Sequence, residues 1–219
     1  MSKRVIERFF SFARRMFFEE ISAKFRPGSA KKLMDASYII FEKVAHKFDI
    51  MSTNYLKMYR ELVEKEVKMA DISSDDLVIV IGCGSLPATS VLIAMGTGAH
   101  VVSIDKDHRA VEEAYKFVKN LHLEDRIKVE HADGLFYPLN KFDVIFLLYG
   151  VKRQEGIFKS LADNMKNNAR IIFRTVIGIQ DETMESSIDL SKWFLIKDKA
   201  KSETLRPAGS YLLCKKDPK

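Results

Sequence analysis

The feature that most constrains the fold is the alternation, from Asp75 onward, of short apolar runs with amphipathic stretches. Such alternation is typical of a parallel sheet whose strands are joined by helical crossovers. The strands expected are Leu77–Ile81, His100–Ile104, Arg126–Glu130, Val144–Leu148 and Ala169–Arg174, with helices at Pro87–Ala94, Arg109–Asn120 and Gln154–Met165. A closing strand pair is expected at Trp193–Ile196 and Ser210–Cys214, joined by a loop that contains Arg206-Pro207-Ala208-Gly209. The sequence therefore predicts an α/β fold with a Rossmann-like doubly wound sheet.

Residues 1–72 follow a different pattern, which predicts a helical N-terminal cap on the Rossmann-like domain expected over residues 73–219. Apolar residues recur there at three- and four-residue steps, and Pro27-Gly28 is expected to end the first of about three helices. The boundary is placed at Asp71–Asp76, which is rich in Ser and Asp. The Phe-rich helix within residues 1–26 has three interpretations: packing on its own domain, packing on a second copy in a homodimer, and peripheral contact with a membrane surface.

The positive charge of the chain is concentrated at its beginning. The 219 residues carry 36 Lys and Arg against 30 Asp and Glu, a formal net charge of +6. Nine basic and three acidic side chains lie in residues 1–32, so the remainder is neutral. This distribution argues against nucleic acid as a partner of the whole surface. It leaves one basic patch for phosphates, anionic lipid or an acidic partner, with a solvated helix face as the alternative.

Other patterns indicate a cytoplasmic protein without a metal site. Charged residues interrupt every early apolar run before it reaches the length of a signal peptide core. The uncharged stretch from Leu77 to Ile104 is long enough to cross a bilayer, but Gly82-Cys83-Gly84 interrupts it. The two cysteines and five histidines share no metal-ligand spacing, and two cysteines make no disulfide framework. We therefore expect a reducing compartment, no membrane span and no metal.

A ligand crevice is expected where the first three strands end. The first strand runs into Gly82-Cys83-Gly84, and glycines there let a ligand approach the backbone. The second strand ends in Asp105, 21 residues after Gly84, at a spacing suited to the hydroxyls of an adenosine ribose. Helix capping is the alternative role for Asp105, although Asp107 can serve as that cap itself. The third strand ends in Asp133, within reach of an adenine amino group. The cofactor-binding residues expected are Gly82, Cys83, Gly84, Asp105, Lys106, Asp133, Gly134 and Leu148.

This arrangement matches S-adenosylmethionine better than a dinucleotide. Ser85-Leu86-Pro87 replaces the third glycine of the dinucleotide fingerprint, and the turn contains no basic residue that could bind a pyrophosphate. With these residues the sequence resembles the class I S-adenosylmethionine-dependent methyltransferase superfamily over roughly residues 75–217. That superfamily carries an acidic residue two places before the first glycine, where this chain has Val80. The chain therefore lacks the acid that usually contacts the methionine amino group.

A more local resemblance concerns the glycine turn and its surroundings. The run Ile81-Gly82-Cys83-Gly84-Ser85-Leu86-Pro87, followed by Ala88-Thr89-Ser90, is similar to the turn of nicotianamine synthases. Asn54-Tyr55-Leu56-Lys57 with Glu61, the strand Phe142–Leu147, and Arg174-Thr175 before Gly178 are similar too. The resemblance covers about residues 50–180. The resemblance implies two possible reactions, which differ in the carbon of S-adenosylmethionine that is attacked. Methyltransferases direct a nucleophile to the sulfonium methyl, whereas nicotianamine synthases transfer an aminocarboxypropyl group to an amine.

The expected function is an S-adenosylmethionine-dependent methyltransferase that acts on a small or lipophilic metabolite. Aminocarboxypropyl transfer of the nicotianamine-synthase type is the alternative, and an RNA-binding methyltransferase or a non-catalytic binding module is a further one. Glu61, Tyr149 and Tyr55 are the catalytic candidates, and Arg174 is the candidate for binding a substrate carboxylate. Three of these four residues have a structural alternative: a surface pair with Lys57 or Lys65 for Glu61, helix packing for Tyr55, and pairing with Asp143 or Glu130 for Arg174.

Overall fold

The computed structural model describes residues 49–149, 151, 153–176, 189–205 and 208–216. The helices are α1 (Asp49–Met69), α2 (Ala88–Thr97), α3 (His108–Asn120) and α4 (Gln154–Asn164), with a short 3-10 turn at Leu190–Lys192. The strands are β1 (Leu77–Ile81), β2 (His100–Asp105), β3 (Ile127–His131), β4 (Val144–Leu147), β5 (Arg170–Val176), β6 (Phe194–Lys201) and β7 (Ala208–Lys215). The first two helices predicted for the N-terminal cap, and the Phe-rich segment 1–26, lie outside these residues.

The strands of the described chain form one seven-stranded sheet in the order β3-β2-β1-β4-β5-β7-β6. The pairs from β3 through β5 are parallel, while β7 runs antiparallel to both β5 and β6. The chain therefore leaves β1 toward β2 and β3 on one side and returns to β4 and β5 on the other. In a doubly wound sheet, ligands bind at the carboxyl ends of the strands beside this reversal. The predicted α/β, Rossmann-like fold is confirmed.

Alternating residues of β1 divide the core into two layers. Val78 and Val80 pack with α1, α2 and α3 on one face, whereas Ile79 and Ile81 pack with α4 on the other. All four side chains are buried. A strand that is covered on both faces reads as a continuous β-branched run, which is why β1 is the strand whose bounds the sequence predicts without error.

The last two strands differ from the prediction. β6 continues to Lys201, five residues beyond the predicted end at Ile196, because its exposed polar half pairs with β7. Ala208 and Gly209 were predicted in the connecting loop but belong to β7, where Ala208 pairs with Val176 of β5. Arg206 and Pro207 lie outside the described residues. β6 was predicted only as far as its apolar residues extend, whereas its backbone pairing with β7 continues further.

Helix α1 is the part of the predicted cap that the structure describes. It was expected from Asn54 through Val67 and spans Asp49–Met69. Its buried side chains Tyr55, Tyr59, Leu62 and Glu66 follow one another at steps of four, three and four residues, so they share one face. That face lies against α2 and the ends of β6 and β7. Aromatic and acidic side chains of α1 thereby reach the carboxyl edge of the sheet.

Candidate active site

A cavity lies at the carboxyl ends of β1, β4 and β5. Five segments contribute its lining: α1, the turn after β1, the start of α2, the end of β4 and the middle of β5. The lining residues are Tyr55, Tyr59, Gly82, Cys83, Leu86, Ala88, Thr89, Leu148, Tyr149 and Arg174. Six of the predicted site residues are brought together here: Tyr55, Gly82, Cys83, Leu148, Tyr149 and Arg174.

The turn after β1 requires glycine at two positions. Gly82 and Gly84 have φ angles of +81° and +65°, in the left-handed region that other residues rarely adopt. A Cβ atom on Gly82 would lie 2.7 Å from Cγ2 of Val151, so this position also has no room for a side chain. The turn is therefore held in one shape, with its backbone open toward the cavity.

Amide groups of this turn bind the end of β2 and fix the position of Asp105. The N–H groups of Gly82 and Cys83 donate to the carbonyl of Ile104 at 2.9 and 3.1 Å. The N–H of Gly84 donates to Oδ2 of Asp105 at 2.9 Å, and Asp107 N–H donates to its Oδ1 at 2.9 Å. The carboxylate is therefore oriented before any ligand arrives, and each oxygen keeps a lone pair for a hydroxyl donor.

Asp107, and not Asp105, caps the following helix. The side chain of Asp107 accepts a hydrogen bond from the N–H of Arg109 at 3.0 Å, at the first turn of α3. Asp107 therefore has the capping role, and the carboxylate of Asp105 is available to a ligand in the crevice. Lys106, between them, is exposed and does not line the cavity; its carbonyl lies 2.9 Å from Nε2 of His131.

The end of β3 carries the second predicted carboxylate. Oδ1 of Asp133 accepts from the N–H of Leu135 at 3.0 Å, and Oδ2 lies 2.5 Å from Nη2 of Arg153. Gly134 packs on β1, since a Cβ atom there would lie 2.5 Å from Cγ2 of Ile81. Asp133 and Gly134 are therefore positioned beside the crevice, outside the lining of the cavity itself.

Arg174 forms a buried ion pair at the cavity wall. Its Nε donates to Oε1 of Glu66 at 2.9 Å, its Nη2 donates to Oε2 of Glu66, and its Nη1 donates to Oγ1 of Thr89 at 2.9 Å. Ser210 also donates to Glu66. Burial opposes the charge of Arg174, but the Glu66 carboxylate outweighs it and raises the pKa of the guanidinium. The partner is therefore Glu66, and not Asp143 or Glu130 as the sequence suggested.

Tyrosines complete the polar part of the cavity. The Tyr149 hydroxyl donates to the carbonyl of Thr175 at 2.9 Å. The rings of Tyr55 and Tyr59 lie 4.8 Å apart, and the Arg174 guanidinium lies 5.6 Å from the centre of the Tyr59 ring. Aromatic faces attract cations at such distances. The cavity thus combines phenol oxygens, aromatic faces and one neutralised guanidinium.

Glu61 is not brought to the cavity. Its carboxylate accepts hydrogen bonds from Ser202 Oγ at 2.8 Å and from the backbone N–H of Glu203 at 3.3 Å, and it pairs with Lys65 at 2.6 Å. Burial alone would raise the pKa of Glu61, but these hydrogen bonds lower it below its ordinary value. In this position the residue joins α1 to the segment after β6, and it lies outside the cavity lining.

The described part of the chain contains no group of His, Cys, Asp and Glu side chains able to hold a metal ion. Within the same residues, no helix is both long and apolar enough to cross a membrane.

The residues of the crevice fit S-adenosylmethionine. Gly82 and Gly84 of the turn have no side chains, Asp105 is oriented beside the turn, and Asp133 follows the end of the next strand. Val80, where the superfamily has an acid, is fully buried and faces the core. Polar groups in the cavity lining are supplied by the tyrosines and Arg174.

Fold and site together define a transferase of the class I, S-adenosylmethionine-dependent type. The sequence profile of a family described as "Methyltransferase domain" matches residues 72–207, and the chain belongs to this family. The family uses S-adenosylmethionine, so the predictions of the superfamily and of its cofactor are confirmed.

Curated relatives share one name. A protein of Pseudomonas aeruginosa named L-histidine 2-aminobutanoyltransferase is 22% identical over 163 residues, which cover 74% of this chain. A protein of the same name from Yersinia pestis is 29% identical over 128 residues, or 58% of this chain. The aligned regions span 62% and 48% of the lengths of these two relatives.

Solved structures share the fold. MtNAS, a nicotianamine synthase solved as a point mutant in complex with S-adenosylmethionine, has a TM-score of 0.75 at 18% identity, over 98% of this chain and 92% of that chain. An RNA methyltransferase from Salinibacter ruber in complex with S-adenosyl-L-homocysteine has a TM-score of 0.59 at 16% identity, over 72% of this chain and 92% of that one. At these identities the likeness shows the fold.

Sequence reasoning missed Glu66 and Thr89, the two partners of Arg174. A usable signal existed for Glu66, because it falls seven residues after Tyr59 and four after Leu62, on the buried face of α1. An acid within an apolar stripe needs a cationic or hydrogen-bonding partner in the core. The sequence did not indicate Thr89 as a partner of Arg174, because hydroxyl residues are common in the first turn of a helix.

Proposed function

We propose that this protein is an S-adenosylmethionine-dependent transferase that moves the aminocarboxypropyl group of the donor to an amine of a small acceptor. The observation that carries the proposal is the buried Arg174 guanidinium in the cavity wall, in a chain that has Val80 where the superfamily has an acid. The names of the curated relatives support it, since both describe transfer of a 2-aminobutanoyl group to L-histidine.

The reaction forms one bond and breaks one. The acceptor nitrogen uses its lone pair to form a bond with the γ-carbon of the methionyl chain, and the electrons of the carbon–sulfur bond stay on sulfur. Methylthioadenosine leaves as a neutral thioether, and the acceptor nitrogen loses one proton. Because the sulfonium is already a good leaving group, the protein mainly has to hold and align the reactants.

The nucleoside end of the donor is assigned to the glycine turn and the two carboxylates. Asp105 is proposed to accept hydrogen bonds from the ribose hydroxyls, because both its oxygens are fixed by backbone amides and face the crevice. Asp133 and Gly134, with Lys106 at the rim, are proposed to flank the base. Leu148 and Cys83 supply apolar contacts in the cavity.

Arg174 is proposed to bind a carboxylate of the donor or the acceptor. A guanidinium has five N–H donors, and Glu66 and Thr89 engage three of them among the described residues. The other two belong to the Nη atoms, one to each. N–H groups on the two Nη atoms can bind a carboxylate through two parallel hydrogen bonds.

Tyr55 and Tyr149 are proposed to orient the acceptor. The Tyr149 hydroxyl donates its proton to the Thr175 carbonyl, so toward an amine N–H its oxygen acts as an acceptor. Tyr55 lines the same cavity from α1. An amine held by acceptor oxygens keeps its lone pair available for attack.

Product analysis tests the proposal. The purified protein is incubated with S-adenosylmethionine and L-histidine, and the by-products are separated by chromatography and mass spectrometry. Methylthioadenosine, formed together with a histidine derivative enlarged by one aminocarboxypropyl group, is the expected result. Methylthioadenosine that appears without L-histidine, at the same rate, would contradict transfer to this acceptor.

Methyl transfer to a small or lipophilic metabolite is the second candidate. The family match favours it, because the matching domain is described as a methyltransferase domain. In that case S-adenosylhomocysteine accumulates in place of methylthioadenosine. The same chromatogram therefore distinguishes the two reactions.

A further inference from the structure

We infer that Glu66 is a positioning residue whose charge lets the cavity accept a cationic donor beside a buried guanidinium. The inference rests on the proposed function, because it concerns how S-adenosylmethionine is bound. It assigns a role to a residue that lies outside the cavity lining and acts only through Arg174.

Arg174 poses an electrostatic problem for the donor. The side chain is 1% exposed, and the pKa of its guanidinium is raised, so the group stays protonated. S-adenosylmethionine carries a positive sulfonium, an ammonium and a carboxylate, for a net charge of about +1 at neutral pH. A buried positive charge would repel this ligand, because the interior screens charge poorly. A bare arginine in this wall would thus bind the carboxylate and repel the sulfonium.

Glu66 removes the repulsion without removing the hydrogen-bond donors. It is fully buried and accepts two hydrogen bonds from the Nε side of the guanidinium. Ser210 donates a third hydrogen bond to the same carboxylate, which fixes its orientation. The pair is neutral as a unit, yet the guanidinium lines the cavity and has N–H groups that Glu66 does not engage. The donor thus meets directed hydrogen bonds without a net positive field.

The same arrangement distinguishes donor from product. S-adenosylhomocysteine and methylthioadenosine have a neutral sulfur, so they are much less sensitive than S-adenosylmethionine to the net charge of the Glu66–Arg174 pair. A change of one charge on this pair should therefore shift the affinity for S-adenosylmethionine relative to S-adenosylhomocysteine. Loss of folding or packing alone would weaken both ligands together, so the ratio of the two affinities separates the electrostatic role from a structural one.

The test measures dissociation constants of both ligands by calorimetry, for wild type and Glu66→Gln. We expect Glu66→Gln to reduce the preference for S-adenosylmethionine over S-adenosylhomocysteine about tenfold, the effect of one unit charge at about 10 Å with an effective dielectric constant of about 20. The double variant Glu66→Gln/Arg174→Met restores neutrality and should return the ratio to the wild-type value. Ser210→Ala is the control, because it removes a hydrogen bond to Glu66 without changing charge.

A second pair of variants keeps the inference testable when Glu66→Gln does not fold. Thr89→Asp places an added carboxylate beside Nη1 of Arg174, and Thr89→Asn has the same shape without the charge. The aspartate variant should raise the preference for S-adenosylmethionine relative to the asparagine variant. An unchanged ratio in Glu66→Gln, or in Thr89→Asp against Thr89→Asn, would overturn the inference. Failure of the wild type to bind either ligand would instead overturn the proposed function.

Discussion

The Nε atom of Arg174 lies 2.9 Å from Oε1 of Glu66, although the two residues are 108 positions apart in the chain. This contact joins α1 to β5, and Ser210 connects the same carboxylate to β7. One buried carboxylate therefore holds three elements together at the cavity wall. Because the pair is buried, we expect the stability of the protein to depend on it, and under the proposed function ligand binding depends on it as well.

The first prediction concerns the stability of this pair. Arg174→Met leaves Glu66 buried without its partner, and we expect the free energy of unfolding to fall by about 3–5 kcal/mol. The double variant Arg174→Met/Glu66→Met has no buried charge and should recover most of the loss. Urea unfolding followed by circular dichroism measures both variants. Equal losses in the single and the double variant would show that packing, and not the unpaired charge, dominates.

The second prediction concerns the glycine turn. Gly82→Ala should destabilise the protein by about 1–3 kcal/mol, because the φ angle of +81° is strained for alanine and its Cβ would lie 2.7 Å from Val151. Gly96→Ala is the matched control. Position 96 is inside α2 with open space around it, so alanine there should stabilise by about 0.5–1 kcal/mol. Thermal unfolding of both variants gives the comparison, and a Gly82→Ala protein as stable as wild type would contradict the strain.

The sequence predicted the parallel strands well because each is a short apolar run between turn residues. β1 is predicted without error, β2 and β4 deviate by one residue at one end, and β3 is shifted by one residue at both ends. β5 begins one residue later and ends two residues later than predicted. β1, β2 and β4 are buried along most of their length, so their hydrophobicity marks their limits, whereas β3 at the sheet edge is only partly buried. β6 has mostly exposed side chains, and its second half has no apolar signal. The length of β6 is set by its backbone pairing with β7. This pairing cannot be predicted from the residues of β6 alone.

The site was only partly predictable for a related reason. The glycine turn, Asp105 and Asp133 follow strand ends at short sequence distance, so local pattern identifies them. The contacts of Arg174 with Glu66 and Thr89, and of Glu61 with Ser202, join residues more than 80 positions apart. Tertiary packing decides which acid on α1 is buried. It buries Glu66, whereas Glu61, the catalytic candidate of the sequence analysis, pairs with Lys65 and accepts from Ser202.

The third prediction distinguishes the two aspartates after β2. Asp105→Ala should abolish binding of S-adenosylmethionine, because it removes the carboxylate that Gly84 and Asp107 amides orient toward the crevice. Asp107→Ala removes only the cap of α3, so it should cost about 1 kcal/mol of stability and leave binding in place. Calorimetric titration with S-adenosylmethionine, together with thermal unfolding, measures both effects. An Asp105→Ala protein that binds as tightly as wild type would refute the site.

The fourth prediction tests the structural role of Glu61 through the pH dependence of protein stability. Its folded-state pKa lies below the ordinary value, so its stabilising effect is present above the unfolded pKa, about 4.3, and is lost as pH falls through the folded pKa. Glu61→Gln should therefore cost about 1 kcal/mol at pH 7, and its difference from wild type should shrink below about pH 4.

The matched control for this prediction is Glu64→Gln, whose carboxylate is exposed and lies 4.0 Å from Arg60. It should change stability by less than about 0.5 kcal/mol at either pH. Unfolding in urea at pH 7 and at pH 3.5 provides the measurement, and turnover is recorded at pH 7 on the same samples. Because the Glu61 carboxylate binds Ser202 and the backbone N–H of Glu203, we expect turnover to be retained in proportion to folded protein. A Glu61→Gln protein that is stable but inactive would instead place this carboxylate in the chemistry.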